Sequence, residues 1–367
     1  MSKAYITSTS LRTVSGDTQS TLDAVFNKKC TLKIYDNIIA DKAVCIGKFN
    51  EVKSFNDLLI QSVEEVLRDS NLDSFSDTLL LVGSSVGGMA TTEKLFFKNN
   101  SYDEIDPQKH TINVISSLLD DKFSFKSNRS YSTACTSSAN ALKTAKELIA
   151  LGAYKNILVV GADEICSTTI FGFSSLGILS DGVCTPFKKN RKGMNVAEGI
   201  AVLLLQDSAS KNSIVLYGAG ASSDAYHIAN PDPTSSGAIS AMNKALIDAN
   251  INAKAIGYIN AHGTGTQAND ATEANAILDI FGSDVAVSSS KAILGHTLGA
   301  AGAIEAILCV ESLRLQTIPP QLDCTDNEKD INLLPIKQEQ VINYAMSNSF
   351  AFGGNNVSLI FGVHNES

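Results

Sequence analysis

Short apolar runs alternate along this chain with longer segments of helical periodicity, and that alternation constrains the fold more than any other feature. Residues 157–160 form a continuous Ile-Leu-Val-Val run, typical of a strand that is covered on both faces. In residues 136–151, apolar side chains recur at steps of three and four, the pattern of a helix with one buried face. Strands that alternate with helices predict an α/β protein in which helices cover central sheets.

The predicted elements fall into two groups, which meet at a polar stretch over residues 207–213. We therefore expect two halves, residues 1–207 and residues 208–367. Residues 230–237, rich in Pro, Ser and Gly, are expected to form a surface loop. The predicted strands are 4–9, 43–48, 78–84, 156–162, 200–205, 213–219, 255–261, 285–289, 344–348 and 357–363; the predicted helices are 55–69, 136–151, 170–174, 238–248, 270–281 and 300–315.

Composition narrows the class of protein. Of the 367 residues, 44% are hydrophobic and 18% are charged, proportions that suit a well-filled globular core. No apolar stretch approaches about 18 residues, so we expect no membrane span and no signal core, and a cytoplasmic location. The net charge of −9 argues against nucleic acid as a partner. The seven cysteines include no C-x-x-C pair, which argues against a zinc site and against a disulfide framework.

Cys135 stands where the helix predicted over residues 136–151 begins. The unpaired N–H groups and the positive dipole end of a helix favour a thiolate, which is the reactive form of cysteine. A nucleophile is therefore one interpretation. The other is a small buried cysteine that packs beneath the helix, a common environment for free cysteine. This stretch by itself leaves both interpretations open.

Two of the five histidines lie in glycine-rich turns that follow predicted strands. His262 opens the sequence HGTGT, and His296 lies in the sequence GHTLGAAG. Glycine allows the backbone to come close to a ligand, which a histidine that only packs would not require. Together with Cys135, the two histidines form a set that can attack a carbonyl, donate hydrogen bonds and stabilise negative charge.

These residues and their surroundings resemble the elongating β-ketoacyl-[acyl carrier protein] synthases, which use one cysteine and two histidines, within the thiolase-like superfamily. The chain departs from the family in a shortened N-terminal region, in a polar segment over residues 116–129, and in Ala351 and Asn355, where glycine and threonine are common. The matching motifs are TACTSS at 133–138, HGTGT at 262–266, residues 291–302 and NSFAFGGNN at 348–356, with supporting matches at 83–89, 186–187, 198–199, 224–227 and 231–233.

The resemblance implies a thiolase-like α/β fold of two similar halves with stacked helix and sheet layers. Residues 1–207 would carry the nucleophile and residues 208–367 both histidines. Cys135 would take an acyl group as a thioester, and the backbone N–H groups of Cys135 and Phe352 would bind the carbonyl oxygen as it gains negative charge. The ring of Phe352 would also gate the pocket, with Gly353 and Gly354 letting its turn come near the cysteine.

The resemblance also assigns the groups that act on the second substrate. His262 and His296 would hold the enolate that forms when a malonyl thioester loses CO₂. Lys291 is expected to be a buried catalytic-site residue, with Glu273 as its carboxylate partner. No metal and no separate cofactor are expected, because the substrates travel on the phosphopantetheine arm of acyl carrier protein. The positions that match pantetheine-binding residues are Thr264 and Thr266.

The implied reaction is the decarboxylative Claisen condensation of a malonyl-carrier-protein with an acyl group held on Cys135, which elongates a fatty-acid, polyene or polyketide-like chain. The expected partners of this acyltransferase are acyl carrier protein and a second subunit, either an identical copy or a related ketosynthase-like chain. Two other functions are alternatives to a condensing enzyme. A thiolase would need a second reactive cysteine near the C-terminus, and none follows Cys324. A non-catalytic partner subunit that sets chain length usually lacks the cysteine.

Overall fold

The predicted alternation of strands and helices is present in the computed structural model, which describes residues 2–39, 42–50, 52–210 and 213–364. The elements of the first half are β1 (Ala4–Thr13), α1 (Thr18–Phe26), β2 (Lys33–Ile39), β3 (Lys42–Ile46), α2 (Phe55–Arg68), β4 (Leu79–Gly83), α3 (Met89–Asn99), a 3₁₀ helix (Pro107–His110), α4 (Val114–Phe123), β5 (Ser127–Tyr131), α5 (Ser137–Ala150), β6 (Asn156–Asp163), α6 (Ser167–Ser175) and β7 (Gly199–Gln206).

The second half follows the same alternation. Its elements are β8 (Ile214–Ser223), α7 (Ser236–Ala249), a 3₁₀ helix (Ala253–Ala255), β9 (Ile256–Asn260), α8 (Gln267–Phe281), β10 (Ala286–Ser288), α9 (Lys291–Leu294), a 3₁₀ helix (Leu298–Ala300), α10 (Ala301–Leu315), β11 (Thr317–Ile318), β12 (Asn332–Leu333), β13 (Gln338–Glu339), β14 (Tyr344–Phe350), a 3₁₀ helix (Phe352–Gly354) and β15 (Asn355–Val363).

Eleven strands form one sheet in the order β12-β10-β9-β14-β15-β8-β1-β7-β6-β4-β5. The two halves meet where β1 pairs with β8 in antiparallel fashion, with Ile6 opposite Ile214. Each half contributes a set of five adjacent strands to this sheet, β1-β7-β6-β4-β5 and β8-β15-β14-β9-β10. When the five strands of a set are numbered in chain order, both sets have the spatial order first, fifth, fourth, second, third. In both sets the first two pairings are antiparallel and the other two are parallel. The expectation of two similar halves is therefore confirmed.

The exact boundary between residues 207 and 208 stays a prediction. β7 ends at Gln206 and β8 begins at Ile214, so the predicted boundary falls in the connection between these two strands. Residues 211 and 212 of this connection, like residues 1, 40, 41, 51 and 365–367 elsewhere in the predicted halves, lie outside the described residues.

Helices lie in layers on both faces of the sheet. α5 and α10 contact each other and pack between the halves, against β4 and β6 on one side and β14 on the other. α2 and α4 cover the outer face of the first half, and α7 and α8 cover the outer face of the second. Side chains of β4 alternate accordingly: Leu79 and Leu81 face the central helices, whereas Leu80 and Val82 face α2 and α4. This layering explains the continuous apolar runs, because the central strands are covered on both faces.

Several elements lack the apolar pattern on which the sequence prediction depended. Helix α3 buries only Ala90 among its own residues, and β5 is a largely polar strand at the edge of the sheet. Helix α4 and β5 occupy much of the polar segment over residues 116–129. The expected surface loop covers residues 230–235, and α7 begins at Ser236. Within the described residues, no helix combines the length and the apolar character that crossing a membrane requires.

The reactive candidates lie in the connections that follow strands, three of them in the loop directly after a strand and His296 after the short helix α9. Cys135 lies between β5 and α5, and His262 directly follows the loop residue after β9. His296 lies between α9 and α10, and Phe352 lies between β14 and β15. In α/β folds, loops at the carboxyl ends of parallel strands are the usual place for binding and catalysis.

We expect Gly83→Ala to destabilise the protein, because a Cβ at this position would lie 2.3 Å from the backbone nitrogen and 2.4 Å from the Cα of Ser138 in α5. Overpacking of this kind costs about 1–3 kcal/mol. The measurement is the midpoint of thermal unfolding followed by circular dichroism. Gly172→Ala is the matched control, since a Cβ at this position of α6 would meet nothing within 4 Å. Equal midpoints for the two variants would contradict the packing of α5 against β4.

Candidate active site

Cys135 lies at a sharp turn just before α5. The helix begins at Ser137 after the cap residue Thr136, so the predicted position of the cysteine at the start of a helix agrees with the structure. Ala134 has a φ of 52°, in the left-handed region that non-glycine residues seldom adopt. Its carbonyl oxygen accepts hydrogen bonds from Ser85 Oγ at 3.0 Å and Ser137 Oγ at 2.6 Å. Such strain persists only where surrounding contacts hold it, and it is common at functional sites.

The structure brings Cys135 and both histidines together. His296 Nε2 lies 3.0 Å from Cys135 Sγ. The rings of His262 and His296 are nearly perpendicular, at 87°, with centroids 5.2 Å apart. One Sγ atom and one nitrogen from each ring lie within 4.8 Å of one another. Both histidines are buried, so their polar atoms act in a largely water-free environment.

Glu273 holds the turn that carries His262. Its two carboxylate oxygens accept the backbone N–H groups of His262 and Gly263, each at 2.8 Å, and Asn348 Nδ2 donates to it at 3.2 Å. Burial raises the pKa of this carboxyl group to about 7, against these backbone hydrogen bonds, which lower it. Glu273 therefore supports the histidine turn through the backbone.

The predicted partnership between Lys291 and Glu273 is wrong. Lys291 Nζ is paired with the carboxylate of Glu305 in α10, and both groups are buried. Glu305 lies in α10, 14 residues after Lys291 in the chain, whereas Glu273 is occupied by backbone N–H groups of the histidine turn. Burial raises the pKa of Glu305 to about 7, and the positive charge of Lys291 lowers it. The buried lysine itself was correctly expected.

Lys291 also determines the proton position on His262. Its Nζ lies 3.3 Å from His262 Nδ1. An ammonium group is a donor only, so Nδ1 must accept and the single proton of a neutral ring is then on Nε2. The other histidine differs, because His296 Nδ1 has no hydrogen-bond partner among the described residues. His262 is thus held as an Nε2–H donor, whereas His296 can use Nε2 either as an acceptor or as a donor.

The expected thiolate is not the form that this environment favours. Burial raises the pKa of the Cys135 thiol to about 12, although the positive charge of Lys291 lowers it. Burial, followed by the charge of Lys291, lowers the pKa of both His262 and His296 well below the usual histidine range. Desolvation therefore outweighs the helix end, and the resting pair is a neutral thiol beside a neutral imidazole. His296 Nε2 is placed to accept the thiol proton.

A cavity of about 380 Å³ leads to these three residues. Thr264 and Thr266, predicted to bind a pantetheine arm, line it, and their hydroxyl oxygens lie 2.9 Å apart. Apolar side chains form part of the wall, and Lys192 and Asn230 also line it. The large apolar lining residues are Phe173, Leu176, Ile178, Met194, Phe350 and Phe352.

The turn that carries Phe352 depends on two glycines. Gly353 and Gly354 have φ values of 80° and 76°, which favour glycine over any other residue. Ala351, where the resembled family commonly has glycine, has an extended conformation with φ −112° and ψ 155°, so its methyl group causes no strain. The ring of Phe352 meets that of Phe173 edge to face, with centroids 6.1 Å apart. The predicted roles of Phe352 as oxyanion donor and gate stay predictions.

The three reactive side chains are close enough to share one metal ion. The ammonium of Lys291, 3.3 Å from His262 Nδ1, opposes a second positive charge there. The expectation that no metal binds stays a prediction. Sequence reasoning missed two other buried groups of the site, Glu305 and Asp163. Glu305 is a lone carboxylate in an apolar and small-residue segment, and Asp163 ends a continuous run of apolar and small residues; that contrast was the available signal.

Two family models cover most of the chain. The model described as "Beta-ketoacyl synthase, N-terminal domain" matches residues 43–210, and "Beta-ketoacyl synthase, C-terminal domain" matches residues 214–325. A 3-oxoacyl-[acyl-carrier-protein] synthase 2 from Coxiella burnetii is 34% identical over 342 residues, covering 83% of this chain and 81% of that protein. One from Staphylococcus aureus is 32% identical over 338 residues, covering 84% and 83%.

Solved structures give the same result. One chain from the structure of a ketosynthase in complex with its chain length factor from Xenorhabdus doucetiae has a TM-score of 0.90 and 32% identity, covering 99% of this chain and 98% of that one. A β-ketoacyl synthase from Burkholderia phymatum has a TM-score of 0.87 and 26% identity, with complete coverage of both chains. The predicted thiolase-like architecture of stacked layers is therefore confirmed.

We expect iodoacetamide to alkylate Cys135 slowly at pH 7, with a rate that keeps rising up to pH 10, because burial raises the pKa of the thiol to about 12. Peptide mass spectrometry after timed exposure separates this label from that on the other six cysteines. A rate that reaches a plateau near neutral pH would reveal a preformed thiolate and contradict the neutral pair.

We expect Glu305→Gln to lower the free energy of unfolding by about 3–5 kcal/mol, the usual cost of leaving one buried charge without its partner. The double variant Lys291→Met/Glu305→Gln should recover most of that loss. Equilibrium urea unfolding of both single variants and the double variant measures the coupling. Additive losses would show that the two side chains do not depend on each other.

The variant Lys291→Met should become less stable as pH rises from 6 to 8.5. Glu305 has a pKa of about 7 in the folded protein, above its ordinary value, and removal of the neighbouring ammonium raises it further. A folded pKa above the unfolded one stabilises the protein at low pH, and that contribution is lost as pH rises through the folded value. The same urea titrations at the two pH values check the sign.

Proposed function

The chain belongs to the β-ketoacyl synthase family, and we propose that it joins a malonyl-carrier-protein to an acyl group held on Cys135 by decarboxylative Claisen condensation. One observation carries this proposal: His296 Nε2 contacts the thiol at 3.0 Å while His262 is held by Lys291 as an Nε2–H donor. One histidine is thereby suited to proton transfer and both are suited to stabilise negative charge.

In the first step, Cys135 takes the acyl group from its carrier. The thiol proton moves to His296 Nε2 as Sγ attacks the thioester carbonyl, and His296 then gives the proton to the departing carrier thiolate. The carbonyl oxygen becomes negatively charged during the attack, and backbone N–H groups at Cys135 and Phe352 are the donors we assign to it. The ring at Phe352 gates access of the chain, since a glycine-flanked turn can change conformation.

In the second step, the malonyl thioester loses CO₂ and its remaining electron pair forms an enolate. His262 donates its Nε2–H to the enolate oxygen, and His296, neutral again, donates from Nε2 in its other tautomer. The enolate carbon attacks the acyl-cysteine carbonyl and the new carbon–carbon bond forms. Collapse of this intermediate expels the Cys135 sulfur as a thiolate, which takes up one proton from solvent and restores the neutral thiol. Both histidines have a strongly lowered pKa, so they remain neutral donors at pH 7.

The substrates need no separate cofactor, because they arrive on the phosphopantetheine arm of acyl carrier protein. Thr264 and Thr266 line the cavity with hydroxyl groups, and we assign them to hydrogen bonds with that arm. The matching structure from Xenorhabdus doucetiae is a complex of a ketosynthase with its chain length factor, and we propose a dimer here as well, with an identical or a related subunit. We also propose that the protein is cytoplasmic and that its two halves divide between residues 207 and 208.

The alternative, a non-catalytic subunit that only sets chain length, is less well supported. Such a subunit has no use for a cysteine in contact with a histidine, nor for a lysine that holds a second histidine in one tautomer. All of these groups are present in one site, where Cys135 is half-buried and the two histidines and Lys291 are buried. The chain-length role would be favoured only if the chain were inactive alone and active chemistry came from its partner.

We expect Cys135→Ala to abolish condensation while malonyl-carrier-protein still loses CO₂, because the cysteine takes no part in decarboxylation. His262→Ala should do the reverse: acyl-Cys135 still forms through His296, while decarboxylation falls roughly 100-fold or more, as for loss of an oxyanion-hole donor. Intact-mass spectrometry of the acyl-enzyme and measurement of released CO₂ test both variants. Full condensation by Cys135→Ala would exclude it as the nucleophile.

A further inference from the structure

Asp163 is a buried carboxylate that lies beside the reactive residues and has no part in the reaction as derived above. It is the last residue of β6, the fourth strand in chain order of the set β1-β7-β6-β4-β5, and is 1% exposed. It forms no ion pair with any residue that the structure describes. Its oxygens instead accept hydrogen bonds from neutral donors. These donors are Ser84 Oγ, Ser85 N at 2.9 Å, Val86 N at 2.9 Å and Gly299 N at 2.6 Å.

The hydrogen bonds from Ser85 and Val86 connect Asp163 to the turn that carries Cys135. Asp163 binds both backbone N–H groups of Ser85 and Val86, which fixes the loop after β4. The hydroxyl of Ser85 then donates to the carbonyl of Ala134 at 3.0 Å. Ala134 is the residue with φ of 52° that immediately precedes Cys135. The carboxylate therefore reaches the strained turn of the cysteine through a single side chain.

The hydrogen bond from Gly299 connects Asp163 to the turn that carries His296. Gly299 N–H, which donates to Asp163 Oδ2 at 2.6 Å, lies three residues after His296 in the same turn. That turn contains a second strained residue, Leu298, with φ of 54°. One carboxylate thus contacts, directly or through one serine, the two turns that present Cys135 and His296.

The chemistry of the group suits this task. Burial raises the pKa of Asp163 to about 6, while the hydroxyl of Ser84 and the backbone N–H groups lower it, so the group is ionised at pH 7.5. An ionised carboxylate accepts in several directions at once and forms shorter, stronger bonds than a neutral acceptor. An asparagine amide in its place would have only one acceptor oxygen. Its NH₂ group would face a backbone N–H, which cannot accept a hydrogen bond.

We propose that Asp163 is a positioning residue for acylation, which sets the separation of Cys135 Sγ and His296 Nε2 by holding the Ser85 loop and the Gly299 turn together. The proposal rests on the proposed function, in which His296 takes the thiol proton. Decarboxylation does not use the thiol, so it depends far less on this separation. Displacement of a reacting group by about 1 Å can cost about 100-fold in rate.

The test compares Asp163→Asn and the milder Ser85→Ala with the parent. Asp120→Asn is the matched control, because Asp120 also accepts a backbone N–H in a loop of the first half, that of Phe125 at 2.9 Å, but contacts neither turn. We expect the rate of acyl-Cys135 formation, followed by intact mass, to fall roughly 100-fold in Asp163→Asn. It should fall less in Ser85→Ala and stay unchanged in the control. CO₂ release from malonyl-carrier-protein should change little in all three.

Equal losses of both half-reactions, or unchanged acylation in Asp163→Asn, would overturn the proposal. Crystal structures of the parent and of Ser85→Ala give a readout that needs no activity: the distance between Sγ and Nε2 should increase in the variant. An unchanged distance also overturns the positioning role. Absence of acylation in the parent itself would instead refute the proposed function, and the distance measurement would still decide what Asp163 does.

Discussion

Helices α5 and α10 touch at a point where neither has room for a larger side chain, and the position of the reactive groups follows from that contact. A Cβ added at Gly302 would lie 2.9 Å from the backbone nitrogen of Ala139 and 2.8 Å from its Cβ. The contact is also polar, since Ala303 N donates to Ser138 Oγ at 2.9 Å. Cys135 lies just before α5 and His296 just before α10, so helices packed this closely bring the two side chains to 3.0 Å.

Burial then decides which protonation states the site holds. The same desolvation raises the pKa of the Cys135 thiol and lowers that of both histidines, so every shift favours a neutral group. In the proposed reaction, Cys135 and the histidines become charged only when the thiol proton moves to His296, and the enolate brings the next negative charge into the site. Donors such as the N–H groups at the start of α5 therefore act on charge that develops in the reaction, and their effect is largest where water is excluded. Lys291 and Glu305 supply a compensated pair of charges beneath this site.

The amino-acid sequence was sufficient to predict those helices and strands whose local apolar pattern matches their burial in the fold. α5 has clear helical periodicity because one of its faces is buried, whereas α10 and the central strands are nearly continuously apolar because they are covered on almost every side. The motifs pointed to Cys135, His262 and His296, which the structure brings together. The prediction failed where the outcome depends on contacts between distant segments. β5 is polar because it lies at the edge of the sheet, and no local pattern marks Glu305 over Glu273 as the partner of Lys291. The thiolate was wrong because a helix start is visible in sequence, whereas the desolvation that opposes it appears only in the fold.

The common strand order of the halves explains why the site lies at their junction. Cys135 follows β5 and precedes α5, and His296 follows β10 and α9 and precedes α10. β5 and β10 are the third strands, in chain order, of the two five-strand sets. The contact between Sγ and Nε2 therefore joins equivalent positions of the two halves. The fourth strands of these sets, β6 and β14, end at Asp163 and at Phe350 respectively, so these positions are equivalent too, and Phe350 lines the cavity. One half uses that position for a carboxylate that holds both turns, and the other uses it for the aromatic side chain that lines the cavity. A pair of similar halves thus gives an asymmetric site because equivalent loops carry different chemistry.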